Sequence, residues 1–299
     1  MDRVCAVIVT YNRKELLREC LQAVLSQTRP PDHVLVVDNA STDGTREMLR
    51  EEFPQVEVLA LPENQGGAGG FHEGMKKAYE EGCDWIWVMD DDAFPERDAL
   101  EVLLAFKDRA EILVPVLKAS DGSVSGVGYW RGGRYVGAKL DPVFESFLHV
   151  ELFPFVGPLI HRKVILDIGL PRKEFFIWFD DYEYALRARK KGKITLCVPR
   201  SVIKHQSGES RVVSFFGKPR LRPLHPPWKI YYATRNRGWA VFRTDYVEPR
   251  LQSIVAYLVD TLRSCLGDLL FERDWWARIA FRCRGIWDAL LGRLGKRYP

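Results

Sequence analysis

The chain has 299 residues, 46% of them hydrophobic and 28% charged, with a formal net charge of +4. That length fills one large α/β domain, alone or with an appendage, and the composition excludes a chain whose function rests on disorder. No run approaches the ~20 apolar residues that span a bilayer, and no motif or long basic stripe points to nucleic acid.

The first residues, MDRVCAVIVTYNR, read as a strand and not as a signal peptide. The six cysteines (Cys5, Cys20, Cys83, Cys197, Cys265 and Cys283) are scattered without metal-ligand spacing. They are expected to be free thiols, several buried as small hydrophobes, in a reducing cytoplasm.

RVCAVIVT is a continuous apolar, β-branched run, as expected of a strand covered on both faces, and KELLRECLQAVLSQ follows with a helical stripe. The segments HVLVVD, TDGTREMLREEF, VEVLAL, GGFHEGMKKAYEEG, DWIWVMD and ERDALEVLLAFKD repeat the alternation. Strands alternating with helices predict right-handed crossovers and a mostly parallel, doubly wound sheet. Such sheets bind ligands beyond the carboxyl ends of their strands. There the sequence places Thr10, Tyr11 and Asn12, then Asp38 and Asn39, then Asn64 to Gly70, then Asp90 to Asp92.

From Ile112 to about His205 short β-like pieces predominate, followed by a helix from Asp180 to Lys191 and a strand KITLCVP. The expected organisation is therefore a catalytic domain over 1–215, with a nucleotide-binding half (1–111) and an acceptor-binding half (112–215), then a helical region over 216–299. KPRLRPLHPPWK is expected to connect the two as a Pro-rich linker. Between Phe271 and Pro299 seven Lys/Arg face three acids, so the positive excess lies at the C-terminus. The stripe Leu251, Ile254, Val255, Leu258 and Leu262 is expected to pack on the catalytic domain or on a second subunit. Trp275, Trp276, Trp287 and Leu290 among arginines also suit a helix lying on anionic lipid.

Asp90, Asp91 and Asp92 close an apolar strand in WIWVMDDDAF. Hard cations take carboxylate oxygens, and alternate side chains of an extended segment face one way, so Asp90 and Asp92 could share Mg²⁺ or Mn²⁺. A solvated acidic loop is the alternative. The spacing fits neither an Asp-nucleophile phosphatase motif nor an EF-hand loop. The glycines of PENQGGAGGFHEG, ahead of a helix, suit either phosphates or a tight turn. Asp38 is assigned to a nucleobase or ribose, and Ser41 or Thr42 to capping the next helix. In FFIWFDDYEYALR, Asp180 and Asp181 start a helix, where capping would explain them, but a carboxylate among aromatic rings can become a useful base. Glu183 and Arg187 read as a helix-face ion pair, and His205 as a hydrogen-bonded strand-end histidine.

Taken together, VIVTYNR, VVDNASTDGT, ENQGGAGGF, WVMDDDAFPE and FIWFDDYEYALR, in order from Val4 to His205, resemble glycosyltransferase family 2. GGAGGF, DDYEY, HQSG and YYATRNR look most like its galactofuranosyl- and rhamnosyl-transferase branch. The resemblance implies the GT-A fold, a mostly parallel doubly wound α/β sheet, here with a C-terminal helical extension. It implies an inverting transfer from a UDP- or dTDP-sugar to a glycan or lipid-linked hydroxyl in cell-envelope polysaccharide synthesis, in the cytoplasm or on the inner face of the membrane. Thr10, Tyr11, Asn12, Arg13, Asp38, Asn64, Gly67 and Asp91 would line the nucleotide. Asp90, Asp92 and His205 would bind Mn²⁺ or Mg²⁺, Asp181 would be the base, and Trp178 and Asp180 would border the sugar pocket. A sugar-nucleotide pyrophosphorylase and an inactive nucleotide-sugar-binding subunit are the competing readings.

Overall fold

In the computed structural model, which describes residues 2–119, 122–139, 147–205, 210–215 and 218–299, strand β1 (Val4–Thr10) is buried along its whole length. Its alternate side chains serve two cores. Val4, Ala6 and Ile8 meet Leu17, Cys20, Leu21 and Val24 of helix α1 (Lys14–Leu25), while Cys5, Val7 and Val9 meet Phe71, Met75 and Ala78 of a helix on the opposite face. An unbroken apolar run is what such double coverage requires.

The parallel strands β2 (His33–Asp38), β3 (Glu57–Ala60) and β4 (Trp85–Asp90) flank β1, connected through α2 (Thr45–Glu52) and α3 (Gly66–Glu80). A short β5 (Ala93–Pro95) and α4 (Ala99–Leu104) lead to β6 (Ile112–Lys118) and β7 (Val124–Ser125). After the hairpin β8 (Gly128–Arg131) and β9 (Arg134–Gly137) come β10 (Leu148–His149), β11 (Leu159–His161) and α5 (Arg162–Ile168). Helix α6 (Asp180–Lys190) and β12 (Thr195–His205) complete the domain core. The main sheet runs β10-β12-β6-β11-β4-β1-β2-β3, with β5 on β12 and β7 on β6. Among the described residues ten strands form it, so the two expected halves share one continuous sheet, which antiparallel β11 joins through β4 and β6.

Three expectations change here. Cys5 and Cys83 are not free: they form a disulfide between β1 and the segment after α3. The strand expected as KITLCVP continues to His205, with a register shift between Cys197 and Val202 on β6. The Pro-rich linker instead contributes β14 (Lys218–Pro223), paired antiparallel with β13 (Ser210–Phe215) across the expected boundary.

Helices α7 (Pro227–Arg243), α8 (Arg250–Phe271) and α9 (Trp275–Leu291) follow. The close contact of α9 with α7 depends on Gly285, where a Cβ would lie 2.8 Å from the Tyr231 carbonyl oxygen. Helix α8 turns Ser253, Ala256 and Tyr257 inward, and of the stripe expected to pack on the catalytic domain or a second subunit Ile254 meets the core, whereas Leu251, Val255, Leu258 and Leu262 are exposed, Leu251 at 74% and Leu262 at 62%. Trp276 and Trp287 are likewise exposed. The basic excess of this region is largely spent internally, Arg278 on Asp274 and Glu272, and Arg282 on the buried Asp268. Among the described residues no helix is long and apolar enough to cross a membrane.

Candidate active site

A cavity of about 710 Å³ opens beyond the carboxyl ends of β1 and β4. Tyr11 and Asn64 stand in its wall, and Thr10 and Asp91 meet there, the Thr10 hydroxyl donating to Asp91 Oδ2 at 2.8 Å. Asp91 therefore turns to the tip of β1, as the alternation of an extended chain requires. The acids do have a basic neighbour: Arg13, just past that tip, donates to Asp91 Oδ1 at 3.2 Å and Asp92 Oδ2 at 2.8 Å.

The pairing of β5 with the end of β12 sets His205 opposite Ala93, and brings its Nε2 to 3.3 Å from Asp92 Oδ1. That oxygen is buried and has no hydrogen bond. Burial, reinforced by Asp92 and Asp91, holds the Asp90 carboxyl well above the usual carboxylate range. Burial also raises Asp91, to about 6, against the pull of Arg13 and Thr10. At Asp92 burial opposes ionisation, but His205 and Arg13 prevail and its pKa is lowered. An orphaned carboxylate oxygen, a neighbouring imidazole and a third carboxylate one residue away suit a hard divalent cation. Yet Asp90, Asp92 and His205 do not close into a preformed cage. Among the described residues the trio whose ligand atoms all lie within 4.8 Å is His33, Glu57 and Glu81, at the opposite end of the strands, and Lys77 neutralises its two glutamates.

Two residues expected on the nucleotide have other employment. Asp38 is fully buried, accepts from the Ser41 amide at 2.9 Å and pairs with Arg46, and does not line the cavity. Asn12, left-handed at φ 54°, accepts from the Thr42 amide at 2.7 Å and ties two turns together. Asn39, which sequence reasoning left unassigned, does line the cavity, and bridges β2 to α3 through the Gly66 carbonyl and the Gln65 amide at 2.8 Å each.

The glycines expected ahead of a helix are its first turn. Gly66 has φ 73°, and a Cβ there would lie 1.9 Å from the Phe176 carbonyl oxygen, so only glycine admits the approaching chain. Gly67 faces the cavity. The approaching chain is the aromatic segment before α6, in which Phe176, Trp178 and Phe179 all have positive φ (66°, 66° and 70°). Non-glycine residues in that region cost about 1–3 kcal/mol each and persist only where the surroundings impose them. Here α7 imposes them: Asn236 Nδ2 donates to the carbonyls of Phe175, Ile177 and Trp178 at 2.8–3.0 Å, and Arg235 donates to Glu174 and Phe175.

Asp180 and Asp181 follow directly and both face the cavity. Burial and the charge of Asp181 keep the Asp180 carboxyl well above its ordinary range, whereas Asp181, also raised by burial, titrates at about 7. Glu183 is more than half of a helix-face pair: it is fully buried and held by Arg172, Arg187 and the Tyr246 hydroxyl. The C-terminal region also supplies Lys229, stacked over the Trp178 ring, and Lys296, which donates to the Asn64 carbonyl at 3.1 Å. Neither was marked by any local motif. Gln206, Ser207 and Gly208 of the HQSG piece lie outside the described residues.

Residues 5–169 match the family model for glycosyl transferase family 2. The galactofuranosyltransferase GlfT1 of Mycolicibacterium smegmatis is 32% identical over 250 residues, 79% of this chain and 82% of the relative. The dTDP-rhamnosyl transferase RfbF of Shigella flexneri is 27% identical over 263 residues, 85% of this chain and 84% of the relative. Among solved structures, TarS of S. aureus in complex with UDP aligns over 98% of this chain and 83% of its own, with a TM-score of 0.60 at 15% identity. The sequence resemblance, the sheet order and these alignments agree: the chain is a glycosyltransferase of GT-A fold and belongs to glycosyltransferase family 2.

Proposed function

We propose that the chain moves a sugar from a nucleoside-diphosphate donor, UDP- or dTDP-linked, to an acceptor hydroxyl in one displacement that inverts the anomeric centre. The observation that carries this is the position of Asp181, a half-buried carboxylate in the wall of the 710 Å³ cavity, where desolvation pushes its pKa up to about 7. A base is most effective when its pKa lies near the working pH. Asp181 takes the acceptor proton as that oxygen attacks, Trp178 walls the reacting sugar, and Thr10, Tyr11, Asn39, Asn64 and Gly67 border the nucleoside. Asp90, Asp92 and His205 would hold Mn²⁺ or Mg²⁺, which when bound neutralises the charge of the departing diphosphate. The names of the relatives support galactofuranose or rhamnose as the sugar and a glycan or lipid-linked acceptor in cell-envelope polysaccharide synthesis. Family membership favours this reading over a pyrophosphorylase or a binding-only subunit.

A donor panel read by nucleoside diphosphate release, with and without acceptor, tests the proposal; release that no acceptor stimulates would reduce it to hydrolysis. The cation site has a separate test. In calorimetry Mn²⁺ is expected to tighten UDP or dTDP binding to the wild type and to have no effect on Asp92→Ala. An equal Mn²⁺ effect on both proteins would remove Asp92 from the site.

The outward apolar stripe of α8, with exposed Trp275, Trp276 and Trp287 beside the exposed Arg273 and Arg284, supports peripheral contact with an anionic lipid surface. Flotation with liposomes containing anionic lipid is expected, and is expected to weaken in the double substitution Trp276→Ser, Trp287→Ser. A concentration-dependent dimer that does not float would assign the stripe to a second copy instead.

A further inference from the structure

A second chamber, about 560 Å³, opens on the other side of the aromatic segment and shares Trp178, Phe179 and Asp181 with the donor cavity. Three separate parts of the chain build it. The β8–β9 hairpin supplies Trp130, Arg134 and Tyr135, α6 supplies Tyr182, and the C-terminal helices supply Arg237 and Asp260. Its size falls within the usual range of small-molecule sites, roughly 300–1,000 Å³.

Its chemistry is that of a site for a neutral polyhydroxylated ring. Tyr135 and Tyr182 stack almost parallel, 5.5 Å apart at 7°, and Trp130 and Phe179 meet edge to face, so the walls offer flat apolar faces of the kind that cover the C–H side of a sugar. Opposite them Asp260 lies between two guanidiniums: Arg134 Nε reaches both its oxygens at 2.9 and 3.0 Å, and Arg237 Nη2 reaches Oδ2 at 2.9 Å. Such a cluster presents planar donors and acceptors together, which matches vicinal hydroxyls. Counting Asp181, the chamber has two cations and two carboxylates and therefore no surplus charge to hold a phosphate dianion. Trp130 closes the inner end of this wall: the residue is 3% exposed, and its indole N–H is buried without an acceptor.

We infer that this chamber is the acceptor subsite, in which the aromatic walls and the Arg134–Asp260–Arg237 cluster hold the sugar ring that presents its hydroxyl to Asp181. The inference rests on the proposed transfer reaction and adds the residues that select the acceptor. Trp130, Arg134, Arg237 and Asp260 are then positioning residues for the acceptor.

The test is saturation-transfer NMR on the full chain, with octyl glycosides of rhamnose, galactofuranose and N-acetylglucosamine, and with octyl phosphate as the competitor. Ring protons of at least one glycoside are expected to receive saturation. Arg134→Met, at the half-exposed end of the cluster, is expected to weaken that glycoside about tenfold, the size of one lost hydrogen bond to a charged group. UDP affinity and melting temperature, measured on the same samples, show whether the variant remains folded. Saturation confined to the octyl chain, displacement by octyl phosphate, or wild-type glycoside affinity in a folded Arg134→Met protein would overturn the inference. Failure of the wild type to bind any nucleotide, with glycoside binding intact, would instead strike the transfer reading and leave the chamber in place.

Discussion

Asp181→Asn is expected to lower sugar transfer about 10²–10⁴-fold, the usual worth of a positioned general base, while donor binding stays close to wild type. The amide keeps the shape of the carboxylate and its bond from the Tyr182 amide, which lies 2.7 Å from Asp181 Oδ1, but cannot take a proton. The two neighbouring acids are separated in role by their surroundings. Burial and the charge of Asp181 hold the Asp180 carboxyl well above its ordinary range, whereas burial raises Asp181 to about 7. The direction of the pH effect follows: the raised pKa means that Asp181 carries its proton below about 7 and is competent above it. The rate of transfer at low donor concentration is therefore expected to rise with pH through about 7 and then level. In Asp181→Asn the residual rate should lose that limb. A variant that keeps the limb, or transfers at more than a tenth of the wild-type rate, would move the base elsewhere.

What the sequence disclosed, and what it hid, divides by range. Strands β1, β2 and β4 were legible because a parallel strand covered on both faces must be apolar throughout, a property written into consecutive residues such as Val4 to Thr10. Asp90 to Asp92 were legible for the same reason, since they close such a strand, and Asp180 and Asp181 because they open a helix behind an aromatic run. Partners set by distant chain segments were not. Nothing local distinguishes Asp38 from Asn39, and only the position of Arg46 on the next helix decides that the first is occupied and the second faces the cavity. The spacing of Cys5 and Cys83, 78 residues apart, gave no sign of a bond that depends on where α3 returns the chain. The stripe on α8 was correctly periodic, but periodicity says which residues share a face and not which face meets the protein. Small Ser253 and Ala256, with Tyr257, took the inward side.

The same limitation concealed the part played by the C-terminal helices, which give the second large effect. Asn236→Ala is expected to destabilise the protein by about 2–4 kcal/mol, because three carbonyls lose one buried donor at once, and each such loss is worth about 1–3 kcal/mol before relaxation. It is also expected to reduce kcat about 10²-fold although Asn236 touches no reacting atom. The reason is geometric. The carbonyls it holds belong to Phe175, Ile177 and Trp178, and the left-handed backbone at Phe176, Trp178 and Phe179 aims Asp180 and Asp181 into the cavity. Freed of that clamp, the segment can relax toward ordinary dihedrals and carry the base away, and a displacement of about 1 Å suffices for such a loss. Asn236→Asp, similar in shape but without the donor, should fall in the same direction. Melting temperature and kcat measured together decide the matter: if stability drops while kcat of the folded fraction holds, the aromatic segment keeps its own conformation, and α7 braces the fold without setting the base.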